Sequence, residues 1–294
     1  MPTPRLSDEL AQQALNALEL HPTAALAAKS LNLPPRTFDG RVAVAKSRGM
    51  TPAKPQRVFQ QSETGHAVLA IPDLHAPFMH PDAVAFLTEA KDRLKPTRMV
   101  GLGDELDYHA LSQYDPDPDG DSAGVELYKG IDQLAPLKTL FPEIRWCTSN
   151  HGIRPFKTAY RAGIPSKLIK GYAEVLESPV GWMWEDRWEI DGVVYQHGEG
   201  FGGESAHKKW AVANGKSTVI GHIHSHAGIA YVKNQYKQIF GMNCGCLIDS
   251  GKYAFKYASG HPHKQVLGVG FVDNGHPFYF PMRLDDRGRW TGRW

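Results

Sequence analysis

The amino-acid sequence predicts an α/β layered domain preceded by a small all-α unit. Three observations carry that expectation. Residues 1–50 hold only helical periodicities, residues 51–65 change to Pro, Lys, Gln and Ser, and residues 66–294 alternate short apolar β-rich runs with longer helical ones. With 41% hydrophobic and 22% charged residues over 294 positions, the chain can bury a core. No apolar run approaches the length of a membrane span and no secretory h-region is visible, so a cytoplasmic location and no membrane partner are expected. Cys147, Cys244 and Cys246 are too few and too unevenly placed for a disulfide framework. The C-x-C pair lacks a second pair to complete a zinc ribbon, which leaves packed thiols.

In the first unit, Ser7 can cap a helix over residues 8–20 with Leu10, Ala14, Leu15 and Leu18 on one face. Pro22-Thr23 opens a second helix with Leu26, Ala27 and Leu31 in period. After the break Asn32-Leu33-Pro34-Pro35, a third spans residues 36–48 with Phe38, Val42 and Ala45 inward, and Gly49 stops it. Residues 1–58 carry eight Lys/Arg against four Asp/Glu, a balance of +4 that leaves −2 for the rest of a +2 chain. A basic front end points to an anionic partner.

In the second unit, strands are expected over residues 66–72, 98–102, 144–148, 193–196 and 217–220, with helices near 81–94, 123–140, 156–176 and 203–213. The last 60 residues turn strand-rich again. Five polar motifs follow five of these strands, where active sites of layered α/β domains gather. Asp73-Leu74-His75 closes the first. Residues two apart on extended chain face the same way, so carboxylate and imidazole can share a cation. Gly103-Asp104-Glu105-Leu106-Asp107 closes the second, and carboxylates at neighbouring strand tips repel unless a cation neutralises them. Ser149-Asn150-His151 closes the third, offering a neutral oxygen donor and a side chain that titrates near neutrality. His197-Gly198 follows the fourth, and Gly221-His222-Ile223-His224 the fifth. Each piece alone also reads as a turn, a helix cap or a surface histidine. Five in order do not.

In that order the motifs resemble the calcineurin-like metallophosphoesterases, whose signature is D-x-H, G-D-x-x-D, G-N-H-[DE], H and G-H-x-H. The match spans residues 68–224. The resemblance implies a two-sheet sandwich flanked by helices over residues 66–294. It also implies one ion held by Asp73, His75 and His224, a second held by Asn150, His197 and His222, and Asp104 bridging them. Mixed oxygen and nitrogen donors without thiolate suit two divalent transition-metal ions, manganese first, with iron or zinc as alternatives. Such a pair activates water and clamps phosphate oxygens during in-line displacement. His151 would face the leaving oxygen as general acid or charge stabiliser, oriented by Asp107. Two departures stand out: Ser149 replaces the glycine before Asn150, and Gly152 replaces the acid after His151. Arg154 is placed to fork onto the substrate phosphate, or to cap a surface loop. His109, His207 and His226 are expected in surface or supporting roles, and Trp182, Trp184 and Trp188 in hydrophobic packing. The runs GCLID and VLGVGFV resemble closing strands of small phage and bacterial members, which hints at a phage origin.

Residues 24–48 resemble a helix-turn-helix, with Leu33 and Phe38 inside and the turn LNLP between helices. That resemblance implies Arg36, Thr37, Arg41, Lys46 and Arg48 as groups for phosphates and base edges. Gly40 costs the third helix about 1 kcal/mol relative to alanine, Asp39 is unhelpful next to DNA, and a protein-interaction module is the alternative. Joined to the metal motifs, this unit leads to a metal-dependent phosphodiesterase or nuclease acting on nucleic acid. A phosphomonoesterase acting on nucleotides or phosphoproteins is the second reading. A DNA-binding protein with an inactive phosphoesterase body is the third.

Overall fold

The computed structural model describes residues 6–20, 24–51, 65–112, 120–249, 251 and 264–293. The chain divides into two compact units, residues 1–60 and 61–294. Most of the expected linker, residues 51–65, lies outside the described residues, as do Pro22-Thr23.

The first unit contains α1 (Asp8–Leu20), α2 (Ala24–Ser30) and α3 (Pro35–Ser47). Its core is built largely of alanines, Ala11, Ala14, Ala27, Ala28 and Ala45, around the buried ring of Phe38. Small side chains let the helix backbones approach, and Phe38 fills the space that remains. Leu33 packs at the edge of this core. The buried face of α1 is rotated from the expected one: Leu10 is 38% exposed, and Ala11 and Ala17 are buried in its place. Pro35 starts α3 one residue early, where its missing N–H costs nothing. Arg36, Thr37 and Lys46 are exposed and Arg41 half-buried. Arg48 is exposed as well. Its guanidinium pairs with Asp8 and donates to the Leu6 carbonyl, so it ties the end of α3 to the start of α1.

The second unit runs β1 (Ala67–Ile71), α4 (Ala83–Leu94), β2 (Arg98–Gly101), α5 (Ala123–Leu140), β3 (Glu143–Cys147), α6 (Arg154–Arg161), α7 (Tyr172–Val175) and β4 (Gly181–Glu185). It continues through β5 (Arg187–Ile190), β6 (Val193–Gln196), α8 (Ala206–Asn214), β7 (Ser217–Ile220), β8 (Gly228–Lys233), β9 (Gln238–Asn243), β10 (Gly268–Asp273) and β11 (His276–Pro281). One sheet has the order β11-β10-β1-β2-β3-β4 and the other β5-β6-β7-β9-β8. In the first sheet β1, β2, β3 and β4 are parallel. In the second β6, β7 and β9 are parallel. Antiparallel strands form three of the four sheet edges, β11, β5 and β8, while β4 ends the first sheet in parallel.

Strand alternation sorts the core. Val68, Ala70, Val100, Leu102 and Cys147 meet Ile190, Val193, Tyr195, Val219, Phe240 and Met242 between the two sheets. Leu69 and Ile71, one residue out of phase, pack instead among Phe86 and Leu87 of α4 and Leu134 and Leu137 of α5. All three cysteines are buried and free, and burial raises their thiol pKa values. The indole N–H groups of Trp182 and Trp188 donate to the carbonyls of Phe141 and Trp146, and that of Trp184 to the Glu105 carboxylate.

The expected helix over residues 156–176 is broken. It becomes α6, a 3-10 turn over Ser166–Leu168 and α7. Gly163 adopts φ +72° after α6, and Pro165 with Gly171 then block a continuous helix. No helix among the described residues is long and apolar enough to cross a membrane.

Gly101 shows how tightly β2 and β3 are fitted. Its partner in register is Trp146, and a Cβ at 101 would stand 1.9 Å from the indole ring. Gly101→Val is expected to cost about 1–3 kcal/mol through overpacking, read from urea unfolding. An unchanged midpoint would contradict this packing.

Candidate metal centre

The five motifs stand at the C-terminal ends of β1, β2, β3, β6 and β7, where parallel strands of both sheets bring them together. Backbone pairing continues past the strands and locks the loops to one another. The amides of Leu74 and His75 donate to the Asp104 carbonyl at 3.1 and 2.8 Å, and Ala76 to Glu105 at 3.0 Å. Gly221 N–H donates to the His197 carbonyl at 3.0 Å, and Leu247 N–H to Asp73 at 2.8 Å. His75, Asp104 and His222 have φ of +49°, +49° and +66°. Side-chain-bearing residues hold this left-handed backbone only where the surroundings enforce it.

The side chains gather into two groups that share the Asp104 carboxylate, and His75, Asp107 and His151 form a third. Asp73, His75, Asp104 and His224 offer donor atoms within 4.8 Å of one another, and Asp104, His197 and His222 do the same. Asn150 joins the second group, its Oδ1 2.6 Å from His197 Nε2. Across the groups, Asp104 Oδ2 lies 3.3 Å from His75 Nε2 and 3.4 Å from His197 Nε2. His224 Nε2 is 2.9 Å from Asp73 Oδ2, and His222 Nδ1 is 3.1 Å from His197 Nε2.

These residues fit metal ions on three counts. Asp73 and Asp104 are almost wholly buried, and Asp73 Oδ1 accepts no hydrogen bond among the described residues. A buried carboxylate oxygen without a partner is costly unless a cation faces it. A Cβ at Gly221 would stand 2.1 Å from that same oxygen, so glycine keeps the space beside it open. The ring nitrogens are also held in the orientation that ligands need. His197 Nδ1 donates to the Leu102 carbonyl at 2.9 Å, and His75 Nδ1 lies 2.5 Å from Asp107 Oδ1, which turns both Nε2 atoms toward Asp104.

The charges follow from this crowding. Burial opposes protonation of His75, yet the Asp104 and Asp107 carboxylates raise its pKa to about 10. Burial likewise disfavours the Asp104 carboxylate, but His197, His151 and His75 hold its pKa well below the usual range. His197 is raised: Asp104 and Asp73 outweigh its burial. His222 is lowered by burial and by the nearby His197.

Asp107 serves two histidines. Its carboxylate is closest to His75 and reaches His151 Nδ1 at 3.2 Å, while its backbone carbonyl accepts from His151 Nδ1 at 2.6 Å. His151 Nε2 lies 3.1 Å from a terminal nitrogen of Arg154. A carbonyl only accepts and a guanidinium only donates, so these contacts select the tautomer with Nδ1–H and a lone pair on Nε2. The other terminal nitrogen of Arg154 donates to the carbonyls of Asp107 and Tyr108 at 2.9 and 3.3 Å.

Both departures in the third motif have a structural reason. Ser149 Oγ accepts from the amides of Asp104 at 2.9 Å and Gly152 at 3.1 Å, tying the second motif to the third as glycine cannot. A Cβ at Gly152 would lie 3.1 Å from that hydroxyl and 3.3 Å from the Tyr172 ring. Any side chain at 152 would require the serine or the tyrosine to give way by a few tenths of an ångström.

Three supports were missed in sequence. Asn243 donates to the carbonyls of Ile223 at 2.8 Å and His226 at 2.5 Å, pinning the H-x-H loop. Glu126 accepts from the amides of His109 and Ala110 and holds the turn beyond Asp107. Lys157 and Arg161 join Arg154, Asn150 and His222 around a cavity of about 260 Å³. Asn243 and Glu126 sit in ordinary strand and helix patterns with no local signal. The spacing 154, 157, 161 marks one helix face and was available in the sequence. His207 and His226 stay outside both donor groups. His261 and His263, which carried no functional expectation, lie outside the described residues.

Two mixed sheets with flanking helices, and a shared carboxylate between two donor groups at their strand ends, are now in view. The architecture is the two-sheet sandwich flanked by helices that the motif resemblance implied for residues 66–294. No family model matches the chain, and no curated protein does. Among solved structures, Vps29 from Chaetomium thermophilum is 12% identical, with TM-score 0.39, covering 77% of this chain and 93% of its own. The phosphoesterase YfcE from E. coli is 16% identical, with TM-score 0.34, covering 71% and 88%. The nuclease MPE from Pseudomonas putida is 13% identical, with TM-score 0.32, covering 73% and 85%. Likenesses this distant carry no information on substrate.

The raised His75 pKa sets a pH dependence for the metal-free protein. A group raised from 6.5 to about 10 contributes stability that is fully present below pH 6.5 and lost as pH rises through 10. EDTA-treated protein is therefore expected to lose thermal stability between pH 7 and 10, and His75→Gln to flatten that profile. Parallel profiles would contradict the His75–Asp104–Asp107 contact.

Proposed function

We propose that the chain is a metal-dependent phosphodiesterase that cleaves nucleic acid. The observation that carries this reading is the pair of donor groups sharing Asp104 at the mouth of a cationic cavity. Asp73, His75 and His224 would hold one ion and Asn150, His197 and His222 the other, with Asp104 common to both groups. Two divalent transition-metal ions, when bound, supply Lewis-acid polarisation of phosphoryl oxygens and a nucleophile at neutral pH. Manganese suits these donors best, with iron or zinc as the alternatives.

The chain's own groups do the rest. Asp107 and the Leu102 carbonyl fix the tautomers of His75 and His197. His151 stands at the leaving-group end with Arg154 across its Nε2. Arg154 is placed to give its terminal nitrogens to a substrate phosphate. Once it does, Nε2 of His151 is free to take up a proton and pass it to the leaving oxygen. The helical first unit supports a nucleic-acid substrate, since Arg36, Thr37 and Lys46 are exposed on α3 and Arg41 half so.

Incubation with manganese and labelled single- and double-stranded DNA tests the reading. Cleavage is expected. Fast hydrolysis of p-nitrophenyl phosphate beside intact DNA and an intact bis-ester would point to a monoesterase. No turnover after manganese or iron loading, with no metal retained, would point to an inactive body.

Substitutions separate the roles. Asp104→Asn and His222→Ala are expected to abolish turnover together with metal retention. His151→Ala should keep both ions by elemental analysis and slow turnover about 10²–10⁴-fold, least for good leaving groups. Loss of an ion from His151→Ala would overturn its assignment.

A further inference from the structure

The cavity beside the donor groups extends along α6. Arg154, Lys157 and Arg161 line it from that helix, while Asn150 and His222 line it from the metal centre. Positions 154, 157 and 161 are spaced by three and four, so they lie along one helix face. From first to last the row spans about 10 Å at 1.5 Å rise per residue. Lys157 and Arg161 are exposed. Glu199, from the loop after His197, is the one acid among the lining residues. Three cations against one carboxylate leave the lining at +2, histidines taken as neutral.

A solvated basic helix face is the ordinary explanation for such a row. Two features set this one apart. It begins at Arg154, whose guanidinium already touches His151, so it starts at the leaving-group end of the proposed reaction. The cations also share one concave space with donor groups of the metal centre.

We propose that Lys157 and Arg161 form a subsite for further phosphates of a single-stranded nucleic acid, on the leaving-group side of the scissile bond. The subsite rests on the phosphodiesterase reading for its place in the reaction, but not for its ability to bind. A row of point charges leading away from one phosphate position is the electrostatic counterpart of a strand that carries one charge per nucleotide. A substrate with a single phosphate leaves the far end of the row unused.

The test is equilibrium binding by fluorescence anisotropy with the full chain in EDTA, so that no cleavage occurs. The probe is labelled tetrathymidylate, measured over a range of salt concentrations for wild type, Lys157→Ala/Arg161→Ala and Lys233→Ala. Lys233 is exposed on β8 and controls for loss of charge elsewhere. The double variant is expected to bind about tenfold or more weakly. Its slope of log affinity against log salt should fall by about 1.4, or 0.7 for each lost phosphate contact on a single strand. Lys233→Ala should match wild type. An unchanged slope in the double variant, or an equal loss in Lys233→Ala, would overturn the subsite. So would an equal loss on a short duplex. Wild-type turnover of the bis-ester is measured separately: its absence would sink the phosphodiesterase reading and leave the binding result standing.

Discussion

The second unit is organised around two carboxylates, Asp73 and Asp104, buried where parallel strands of both sheets end. Taking an ion out of water costs several kcal/mol even after the protein relaxes. Five imidazoles surround this pair, and the rest of the loop architecture serves to hold them there. Strand pairing continues past β1 and β2 so that the Asp73 and Asp104 loops cannot part. Left-handed backbone is tolerated at His75, Asp104 and His222 because it aims those side chains inward. Gly221 stays small beside Asp73, and Asn243 and Ser149 spend their polar groups on neighbouring loops.

Much of this was readable in the sequence, for a physical reason. Apolar runs of β residues ending in polar pairs require little context, since alternation fixes the facing of Asp73 with His75 and of His222 with His224. Strand limits therefore agree with expectation to within a residue or two. What the sequence hid depends on contacts between distant segments. The rotation of α1 follows from how α2 and α3 pack on it, and its own periodicity does not decide between faces. The pairing of Arg48 with Asp8 was hidden because the two lie forty positions apart. The break after α6 was signalled by Gly163 and Pro165, but the helical period on either side masked it.

The third motif shows how a departure can be compensated. Where relatives in the resemblance carry glycine before and an acid after the Asn-His pair, this chain has Ser149 and Gly152. The serine hydroxyl bonds to two amides, one on each side of the centre. Tyr172 packs close to Gly152, and Asp107 contacts both His75 and His151. Orientation of His151 thus comes from the second motif, with Arg154 against its Nε2. The same arginine opens the cationic row on α6 that lines the adjoining cavity.

The most direct measurement of this account is anomalous diffraction from crystals soaked in manganese. The predicted result is two peaks roughly 3.5–4 Å apart, one among Asp73, His75 and His224, the other among Asn150, His197 and His222, with Asp104 between them. A single peak, no peak, or a peak on His151 would contradict it.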